Sequence, residues 1–433
     1  MFERPQRGEH AVLLFVGLGQ VISAEDREEF ESLALSAGAK IDGTLDAVRQ
    51  SASPRYLIGT GKLDELKALV EETCAELVLV DHHLSPSQQK NLEEFLKRRV
   101  VDRAGLILDI FALRARTFEG KLQVELAQLT HLSTRLVRGW THLERQKGGI
   151  GLRGPGETQL ESDRRMIGQT IKRLHKRLDR VEKRRQQGRQ QRHKQEIPTV
   201  SLVGYTNAGK STLFNCMCDA GVEVADQLFA TLDPTLRRLD IPDRGEVVLA
   251  DTVGFIRDLP HELIAAFKST LEETRDARLL LHVIDCSDPA HLERIGQVEE
   301  VLKEVGANFL PVIHVYNKAD ILGVPPRIDR ADTGMPMRVW LSAMTGEGVG
   351  LLLAAIADYL YQDRVRGIIR LEVSQARLRS LIYEAGQVLT ESPLDDGGWQ
   401  LQVEFARRDF EKLQSREQLS FYEAPGAQSS VVA

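Results

Sequence analysis

A glycine-rich tract that ends in lysine and serine carries the clearest chemistry in the sequence. It fits the pattern G-x-x-x-x-G-K-[ST] and follows an apolar run, Val200–Val203, that reads as a buried strand. Glycines let backbone N–H groups turn toward an anion, the lysine adds a point charge, and the serine hydroxyl can ligate Mg²⁺. We therefore predict a phosphate-binding loop made by Gly204, Tyr205, Thr206, Asn207, Ala208, Gly209, Lys210 and Ser211.

Three further tracts follow apolar segments, in the order that a nucleotide-binding α/β domain requires. Asp251 is placed to hold the Mg²⁺ shell through water, and Gly254 to offer its N–H to a γ-phosphate. Asp320 can accept two N–H donors from guanine, which adenine lacks, so GTP is predicted over ATP. The tracts are Asp251-Thr252-Val253-Gly254, Asn317-Lys318-Ala319-Asp320 and Ser342-Ala343-Met344. Together, the four motifs predict a domain that binds GTP and hydrolyses it.

This set of motifs resembles the translation-factor-related class of P-loop GTPases. In that class a switch threonine reaches Mg²⁺ and the γ-phosphate, and the tract 228–235 is similar to that switch, with Thr231 the better match and Thr235 the alternative. The resemblance implies nucleotide contacts by Phe229, Ala230, Thr231, Leu232 and Asp233. It implies metal ligation by Ser211 and Thr231, and catalytic roles for Lys210, Thr231 and Gly254.

The sequence departs from the Ras-type pattern directly after the Asp-x-x-Gly tract. Phe255 stands where a water-positioning glutamine would follow, and an apolar ring cannot orient water by hydrogen bonding. We therefore expect slow intrinsic hydrolysis, with the water positioned from elsewhere. One source is K⁺ beside the phosphates, because Asn207 matches an asparagine that looks like a K⁺ ligand in related potassium-dependent GTPases.

Composition indicates a cytoplasmic protein of about three domains. The chain has 433 residues, 42% of them apolar, a mild net charge of −6, and no apolar run long enough to span a bilayer. Its N-terminus lacks a secretory pattern, and we expect a monomer.

The four cysteines do not suggest a disulfide framework. Cys216 and Cys218 are two apart on one helix and share no face, so packing or solvation is favoured over metal binding.

The N-terminal hundred residues predict a small α/β unit with a parallel sheet, because strands and helices alternate with short links. Strands are predicted at 12–16, 75–81 and 100–102, and helices at 24–37, 63–73 and 86–99. The tract Gly59-Thr60-Gly61-Lys62 precedes a helix. It is either a second phosphate site or a turn with an exposed lysine, and both interpretations stay open.

The middle segment predicts an antiparallel helical hairpin with a glycine-rich tip at 147–156 that is not helical. Two apolar stripes recur at three- and four-residue steps: Leu122, Leu126, Leu129, Leu132 and Leu136, then Ile167, Ile171, Leu174, Leu178 and Val181.

The second helix of this hairpin is strongly basic: from 164 to 195 there are thirteen Lys and Arg against two acidic residues. This segregation favours an RNA phosphate backbone over a merely solvated face. No exposed Trp or Phe is expected on the hairpin, which weakens a lipid partner.

Several tracts resemble the HflX family of GTPases: 111–117, 119–127, 151–161 and 58–63. The resemblance spans residues from about 10 to about 365 and implies a ribosome-associated GTPase. Such a protein binds the large ribosomal subunit and its RNA, and it splits or rescues stalled ribosomes under stress. Some members of the family are also reported to bind ATP through the N-terminal region. The alternative that we keep is a GTP-switched peripheral membrane or regulatory protein whose basic hairpin contacts anionic lipid.

The predicted fold class is α/β. A P-loop GTPase domain at 196–365 is preceded by a small α/β domain at 1–110 with a basic helical hairpin at 111–195. A small α+β domain follows at 366–433, with strands at 367–373 and 399–405 around a helix at 375–389. We expect the last residues of the chain to be disordered.

Overall fold

The computed structural model describes most of the chain. The described residues are 8–19, 21–138, 155–194, 197–218, 228–229, 231–232, 235–241, 245–257, 274–361, 364–394, 396–406, 410, 413–414 and 421–423. They form two compact units. The first comprises Met1–Asp240, Gly245–Asp329 and Met337–Leu352, and the second Ile241–Arg244, Arg330–Pro336 and Leu353–Ala433. The predicted tip at 147–154 and the predicted tail at 424–433 lie outside the described residues.

The N-terminal part of the first unit is a four-stranded parallel sheet in the order β2-β1-β3-β4, as its alternating elements predict. Its strands are β1 His10–Leu18, β2 Lys40–Arg49, β3 Leu77–Asp81 and β4 Arg99–Asp102. Its helices are α1 Ala24–Ser36, α2 Thr60–Glu72, α3 Pro86–Leu96 and α4 Arg103–Arg114. The sequence analysis missed β2, because this edge strand is largely half-buried or exposed and lacks an apolar run.

Two long helices follow and pack against each other along the predicted stripes. They are α5 Phe118–Arg138 and α6 Pro155–Lys194. Leu122, Leu126 and Leu174 are buried in one cluster, with Leu129, Ile171 and Leu178 packed against it. The prediction that 155 and 156 belong to a non-helical tip is wrong, since α6 begins at Pro155. Proline suits the first helical turn, where its missing N–H leaves no bond unmade.

A seven-stranded sheet forms the rest of the first unit, in the order β10-β11-β9-β8-β5-β7-β6. Its strands are β5 Thr199–Val203, β6 Thr235–Ile241, β7 Gly245–Asp251, β8 Leu279–Asp285, β9 Val312–Asn317, β10 Arg327–Arg330 and β11 Pro336–Trp340. The helices α7 Lys210–Cys218 and α8 His291–Val305 follow β5 and β8. Strands β7, β5, β8, β9 and β11 run parallel, so their carboxyl ends share one edge.

The second unit contains an antiparallel sheet in the order β13-β14-β12-β15, one described α-helix of its own and most of a second helix that begins in the first unit. The helix α9 Val349–Leu360 leads into it from the first unit. Its elements are β12 Arg364–Leu371, α10 Ala376–Ala385, β13 Gln387–Pro393, β14 Trp399–Ala406 and β15 Phe421–Glu423. The prediction of a helix as far as 389 is wrong, because α10 ends at Ala385. A Cβ at the next residue, Gly386, would lie 2.4 Å from the Phe405 ring, so the chain passes close to β14 there.

The α/β fold class predicted from the sequence is confirmed, with the P-loop domain between smaller N-terminal and C-terminal parts. Within the described residues, no helix has both the length and the apolar content needed to cross a membrane.

One buried cation ties three N-terminal elements together. Arg103, at the start of α4, is only 3% exposed and forms ion pairs with Glu29 of α1 and Asp81 of β3. Burial raises the pKa of Asp81, and the Arg103 guanidinium partly offsets that rise. Burying these charges costs free energy that is recovered only while they stay paired.

We predict that Arg103→Met destabilises the N-terminal domain strongly. The variant leaves two buried carboxylates without their cation, which costs about 3–5 kcal/mol. Differential scanning calorimetry of the full chain should show the first unfolding transition at a clearly lower temperature. Adding Glu29→Gln and Asp81→Asn should restore part of the loss. A single variant as stable as the original protein would contradict this account.

Candidate nucleotide site

The phosphate loop between β5 and α7 is shaped by two glycines that no other residue can replace. A Cβ on Gly204 would lie 2.2 Å from the Val283 carbonyl oxygen of the neighbouring strand. Gly209 adopts φ +92°, and a Cβ there would lie 2.2 Å from Nδ2 of Asn317. Both positions therefore exclude a side chain by close approach, and Gly209 also by its backbone conformation. The loop leads directly into the N-terminus of α7, where an anion is favoured.

Lys210 is the buried charge of the site. Its Nζ donates to the carbonyl oxygens of Gly204 at 3.1 Å and Tyr205 at 2.7 Å, so the ammonium lies inside the loop. Burial lowers the pKa of Lys210 to about 8, and nearby Asp251 opposes part of that shift. The loop thus holds a cation that carbonyl dipoles alone solvate poorly, and a phosphate would supply the missing negative charge.

Three side-chain oxygens from distant parts of the chain meet beside Lys210. Ser211 Oγ and Thr231 Oγ1 lie 2.7 Å apart, and each lies within donating distance of Asp251 Oδ2, at 2.8 and 3.0 Å. Burial raises the pKa of Asp251. Its other oxygen, Oδ1, is buried and has no hydrogen-bond partner in the described part of the chain. Two hydroxyls and an unsatisfied carboxylate oxygen fit a hard divalent cation such as Mg²⁺.

Asn317 joins three of the predicted motifs. Its Nδ2 donates to the Ala208 carbonyl oxygen in the phosphate loop at 2.8 Å, and its Oδ1 accepts from the Ala343 N–H at 2.9 Å. The side chain is buried. The Asn317 amide therefore joins the phosphate loop to the Ser342-Ala343-Met344 tract. Ser342 is likewise buried, with its Oγ accepting from the Thr345 N–H.

At the carboxyl-terminal edge of the parallel strands, only side chains that are open to solvent could contact a base. Asp320 and Asn207 are exposed, Met344 is 85% exposed, and Lys318 is partly exposed. Other predicted contact residues are buried: Leu232, Val253 and Ala319 lie in the interior, and Thr252 donates to the Leu202 carbonyl oxygen at 2.6 Å. Ala230 and Asp233 lie outside the described residues.

The segment after Asp251 lies against the phosphate loop by backbone hydrogen bonds. Thr206 N–H donates to the Phe255 carbonyl oxygen at 2.7 Å, and Phe255 N–H donates to that of Gly204 at 3.1 Å. A Cβ on Gly254 would lie 3.0 Å from Lys210 Nζ, so this glycine passes close to the buried ammonium. The Phe255 ring is buried, which agrees with its inability to orient water.

The sequence analysis missed the side chains that anchor these segments to the N-terminal domain. The Tyr205 hydroxyl donates to Glu29 and accepts from the Arg257 N–H at 2.9 Å, while Arg257 pairs with Asp26. In the segment that carries Thr231, the Phe229 ring packs edge-on against Phe111 with centroids 4.6 Å apart. Glu29 and Arg257 belong to no motif, so only the tertiary structure identifies them.

We predict that nucleotide binding takes up a proton through Lys210. Bound phosphates favour the charged lysine, whereas the free site holds it at a pKa of about 8. At pH 8 about half a proton should be taken up per GTP, and affinity should fall as pH rises above 8. Calorimetric titrations at pH 7 and pH 8, each in two buffers with different ionisation enthalpies, measure this uptake. Equal apparent enthalpies in both buffers at pH 8 would contradict it.

Known protein families match almost the whole chain in four consecutive segments. These are the GTP-binding GTPase N-terminal family at 24–112, the GTP-binding GTPase Middle Region at 114–192, the 50S ribosome-binding GTPase family at 199–318 and the HflX C-terminal domain at 328–422. The third segment carries the phosphate loop and the Asp-x-x-Gly tract, and it ends within the Asn317–Asp320 tract.

Individual relatives agree with these matches. GTPase HflX of Escherichia coli (strain K12) is 55% identical over 418 residues, 96% of this chain and 98% of that protein. GTPase HflX of Caldanaerobacter subterraneus subsp. tengcongensis is 45% identical over 96% of this chain and 95% of that protein. A solved structure of a GTP-binding protein from Sulfolobus solfataricus in complex with GDP aligns over 82% of this chain and 99% of that chain, at 24% identity and a TM-score of 0.43. Because relatives above 30% identity span nearly the full chain, this protein belongs to the HflX family of GTPases.

Proposed function

We propose that this GTPase binds the large ribosomal subunit and, in a GTP-dependent manner, splits or rescues stalled ribosomes, especially under stress. One observation carries the RNA part of the proposal. Along α6, the eight basic residues between 164 and 183 are all exposed, while the apolar stripe is turned toward α5. A helix that segregates its charge in this way presents a continuous positive face to phosphates. The family description "50S ribosome-binding GTPase" matches the domain beside it.

The nucleotide is proposed to lie along the shared edge of the parallel strands. The phosphates would occupy the loop 204–211, where the N-terminus of α7 and Lys210 favour negative charge. Exposed Asp320 would accept the two N–H donors of guanine, which selects GTP over ATP. Gly254, close to Lys210 Nζ, would offer its N–H to the γ-phosphate. Asn317 would hold the loop and the Ala343 backbone in place through its amide.

Ser211 and Thr231 are proposed to hold Mg²⁺ directly, and Asp251 through water. The hydroxyl pair and the unsatisfied carboxylate oxygen of Asp251 support this assignment. The ion would supply positive charge that stabilises the charge developing on the transferred phosphoryl group. Thr231 belongs to a switch segment, so its contribution to the site depends on where that segment lies.

Hydrolysis requires a group that positions water, and Phe255 cannot serve, because its buried ring has no hydrogen-bond donor or acceptor. We propose that the large subunit orders the switch segments and that K⁺ adds charge beside the phosphates. Asn207 is exposed on the phosphate loop, at φ +59°, and its amide oxygen suits a hard monovalent cation. In comparable switch systems, transition-state groups supplied in trans raise the rate by about 10³–10⁵.

The structure changes one argument against a lipid partner. Contrary to the sequence analysis, an aromatic ring is exposed on the hairpin: Phe118 is 60% exposed, with the Arg177 guanidinium 5.3 Å from its centroid. The exposed ring therefore gives the lipid alternative an aromatic group that the sequence analysis did not expect. Anionic lipid remains the alternative partner that the following experiment separates from RNA.

Large-subunit binding should weaken steeply as salt rises, because binding releases counterions from RNA. We predict that a variant with glutamine at 172, 173, 176 and 180 has a log–log salt slope lower by up to about 3 units, with GTP affinity unchanged. These four side chains are Lys172, Arg173, Lys176 and Arg180, all exposed. Sedimentation with purified large subunits in a salt series measures the slope.

The matched control removes the same number of charges from the exposed surface of the GTPase domain. It carries glutamine in place of Arg237, Arg278, Lys303 and Arg338. The control should keep the slope of the original protein. Equal salt slopes in all three proteins would mean that the basic residues of α6 are only solvated and do not contact RNA. Salt-sensitive sedimentation with anionic liposomes, and none with subunits, would favour the lipid partner.

Turnover should be slow for the isolated protein in Na⁺, moderately faster in K⁺ and markedly faster with large subunits. We predict that Asn207→Ala abolishes the difference between K⁺ and Na⁺ but retains stimulation by subunits, because the two sources act separately. Phosphate release is measured in both salts with and without subunits. Rapid turnover of the isolated protein in Na⁺ would contradict both sources, and an unchanged K⁺ response in Asn207→Ala would contradict the K⁺ site.

A further inference from the structure

Asp285, the last residue of β8, is a charged side chain that none of the four nucleotide motifs includes. It lies beside Asn317, the last residue of β9, with which it is in register in the parallel sheet. Its neighbours are therefore the residues proposed to meet the guanine base.

The two oxygens of Asp285 have separate partners. Oδ2 accepts from Lys318 Nζ at 2.6 Å, whereas Oδ1 accepts from the N–H and the hydroxyl of Ser287, at 3.0 and 2.6 Å. The Ser287 bonds fix the orientation of the carboxylate, so the oxygen facing Lys318 is held in place. The Lys318 ammonium, in turn, is held at a defined point next to the base-binding tract.

The ion pair is not needed to join the two strand ends. Cys286 N–H already donates to the Asn317 carbonyl oxygen at 3.1 Å, and Ala319 N–H donates to that of Leu341 at 3.2 Å. The backbone on both sides of Lys318 is thus fastened independently. What the carboxylate adds is a fixed position for the far end of the lysine side chain.

Lys318 is consequently held at both ends. Its backbone adopts φ +63°, a left-handed conformation, and its ammonium is bound by Asp285. The side chain between these points is still 29% exposed. A lysine held in this way presents its methylene stem as an apolar strip, two residues before exposed Asp320. Because the stem is already ordered, it loses little rotamer freedom when a base binds against it.

We propose that Asp285 is a positioning residue for guanine nucleotides: it anchors the Lys318 ammonium so that the methylene stem forms one face of the purine pocket. The inference rests on the proposed role of the Asn317–Asp320 tract in base binding. Asp285 acts through Lys318 and touches no reacting atom. It therefore contributes to the affinity for GTP and GDP alike, and not to the choice between purine bases, which Asp320 makes by hydrogen bonding.

The test is Asp285→Asn, which keeps the size of the side chain and an acceptor for Ser287 but removes the charge that holds Lys318. GTP and GDP should both bind about tenfold more weakly, the loss expected for one charge-assisted hydrogen bond. The effect should appear in KM, with kcat changed by less than about twofold. The affinity ratio of GTP to ITP, which lacks the 2-amino group, should stay unchanged. Titrations with fluorescent nucleotide analogues and competition with ITP measure these quantities.

Two further variants separate positioning from a structural role. Lys318→Met keeps an unbranched apolar side chain without the charge, and in this background Asp285→Asn should have no additional effect. Asp358→Asn, the matched control, removes the charge from the exposed ion pair with Arg330 and should leave affinity within about twofold of the original. An unchanged affinity in Asp285→Asn, or an equal loss in the Lys318→Met background, would overturn the inference.

Asp320→Asn tests the function on which the inference rests. This variant should lose GTP and gain XTP, because xanthine offers an acceptor where guanine offers a donor. If Asp320→Asn binds GTP normally, the base site itself is misplaced. If Asp320→Asn loses GTP while Asp285→Asn does not, the base site stands and only the role of Asp285 fails.

Discussion

The parallel arrangement of β7, β5, β8, β9 and β11 is the constraint on which the rest of the site depends. In parallel strands the carboxyl ends meet at one edge, so motifs separated by more than a hundred residues become neighbours without any special folding step. Asp251, Asp285 and Asn317 are each the last residue of one of these strands. The Asn317 amide then joins the phosphate loop to the backbone at Ala343. The site is therefore a consequence of sheet topology, with a few buried hydrogen bonds to lock the loops.

Two regions of the molecule bury charged side chains, and they differ in whether those charges are paired within the protein. In the N-terminal domain, Arg103 is paired with Glu29 and Asp81, so the positive charge and the two negative charges lie against each other within the protein. In the candidate nucleotide site, burial lowers the pKa of Lys210 and raises that of Asp251, and one Asp251 oxygen has no hydrogen-bond partner among the described residues. The first arrangement stabilises the fold. The second is incomplete until an anion and a cation bind, which is the electrostatic reason to regard it as a ligand site.

Within the first unit, the N-terminal domain contacts the phosphate loop and the segment that carries Thr231. Tyr205 of the phosphate loop bonds to Glu29, and the Leu228 N–H donates to Ser36 Oγ at 3.2 Å. Phe111 and Phe229 add an apolar contact. A displacement of either segment must therefore break contacts with the N-terminal domain.

The sequence by itself determined the nucleotide chemistry, because glycine spacing, a lysine and strand-end carboxylates are local requirements that motifs record. It also predicted the parallel N-terminal sheet and the two packed helices, since both depend on the periodicity of apolar residues. It failed at β2 and β13, an edge strand of each small sheet, where no continuous apolar run marks the strand. Only the tertiary structure decided that the Asn317 amide bonds to the phosphate loop, that Asp285 holds Lys318 and that Glu29 and Arg257 meet at Tyr205. Those contacts join residues distant in the chain, and their free energy depends on burial and geometry that no local pattern contains.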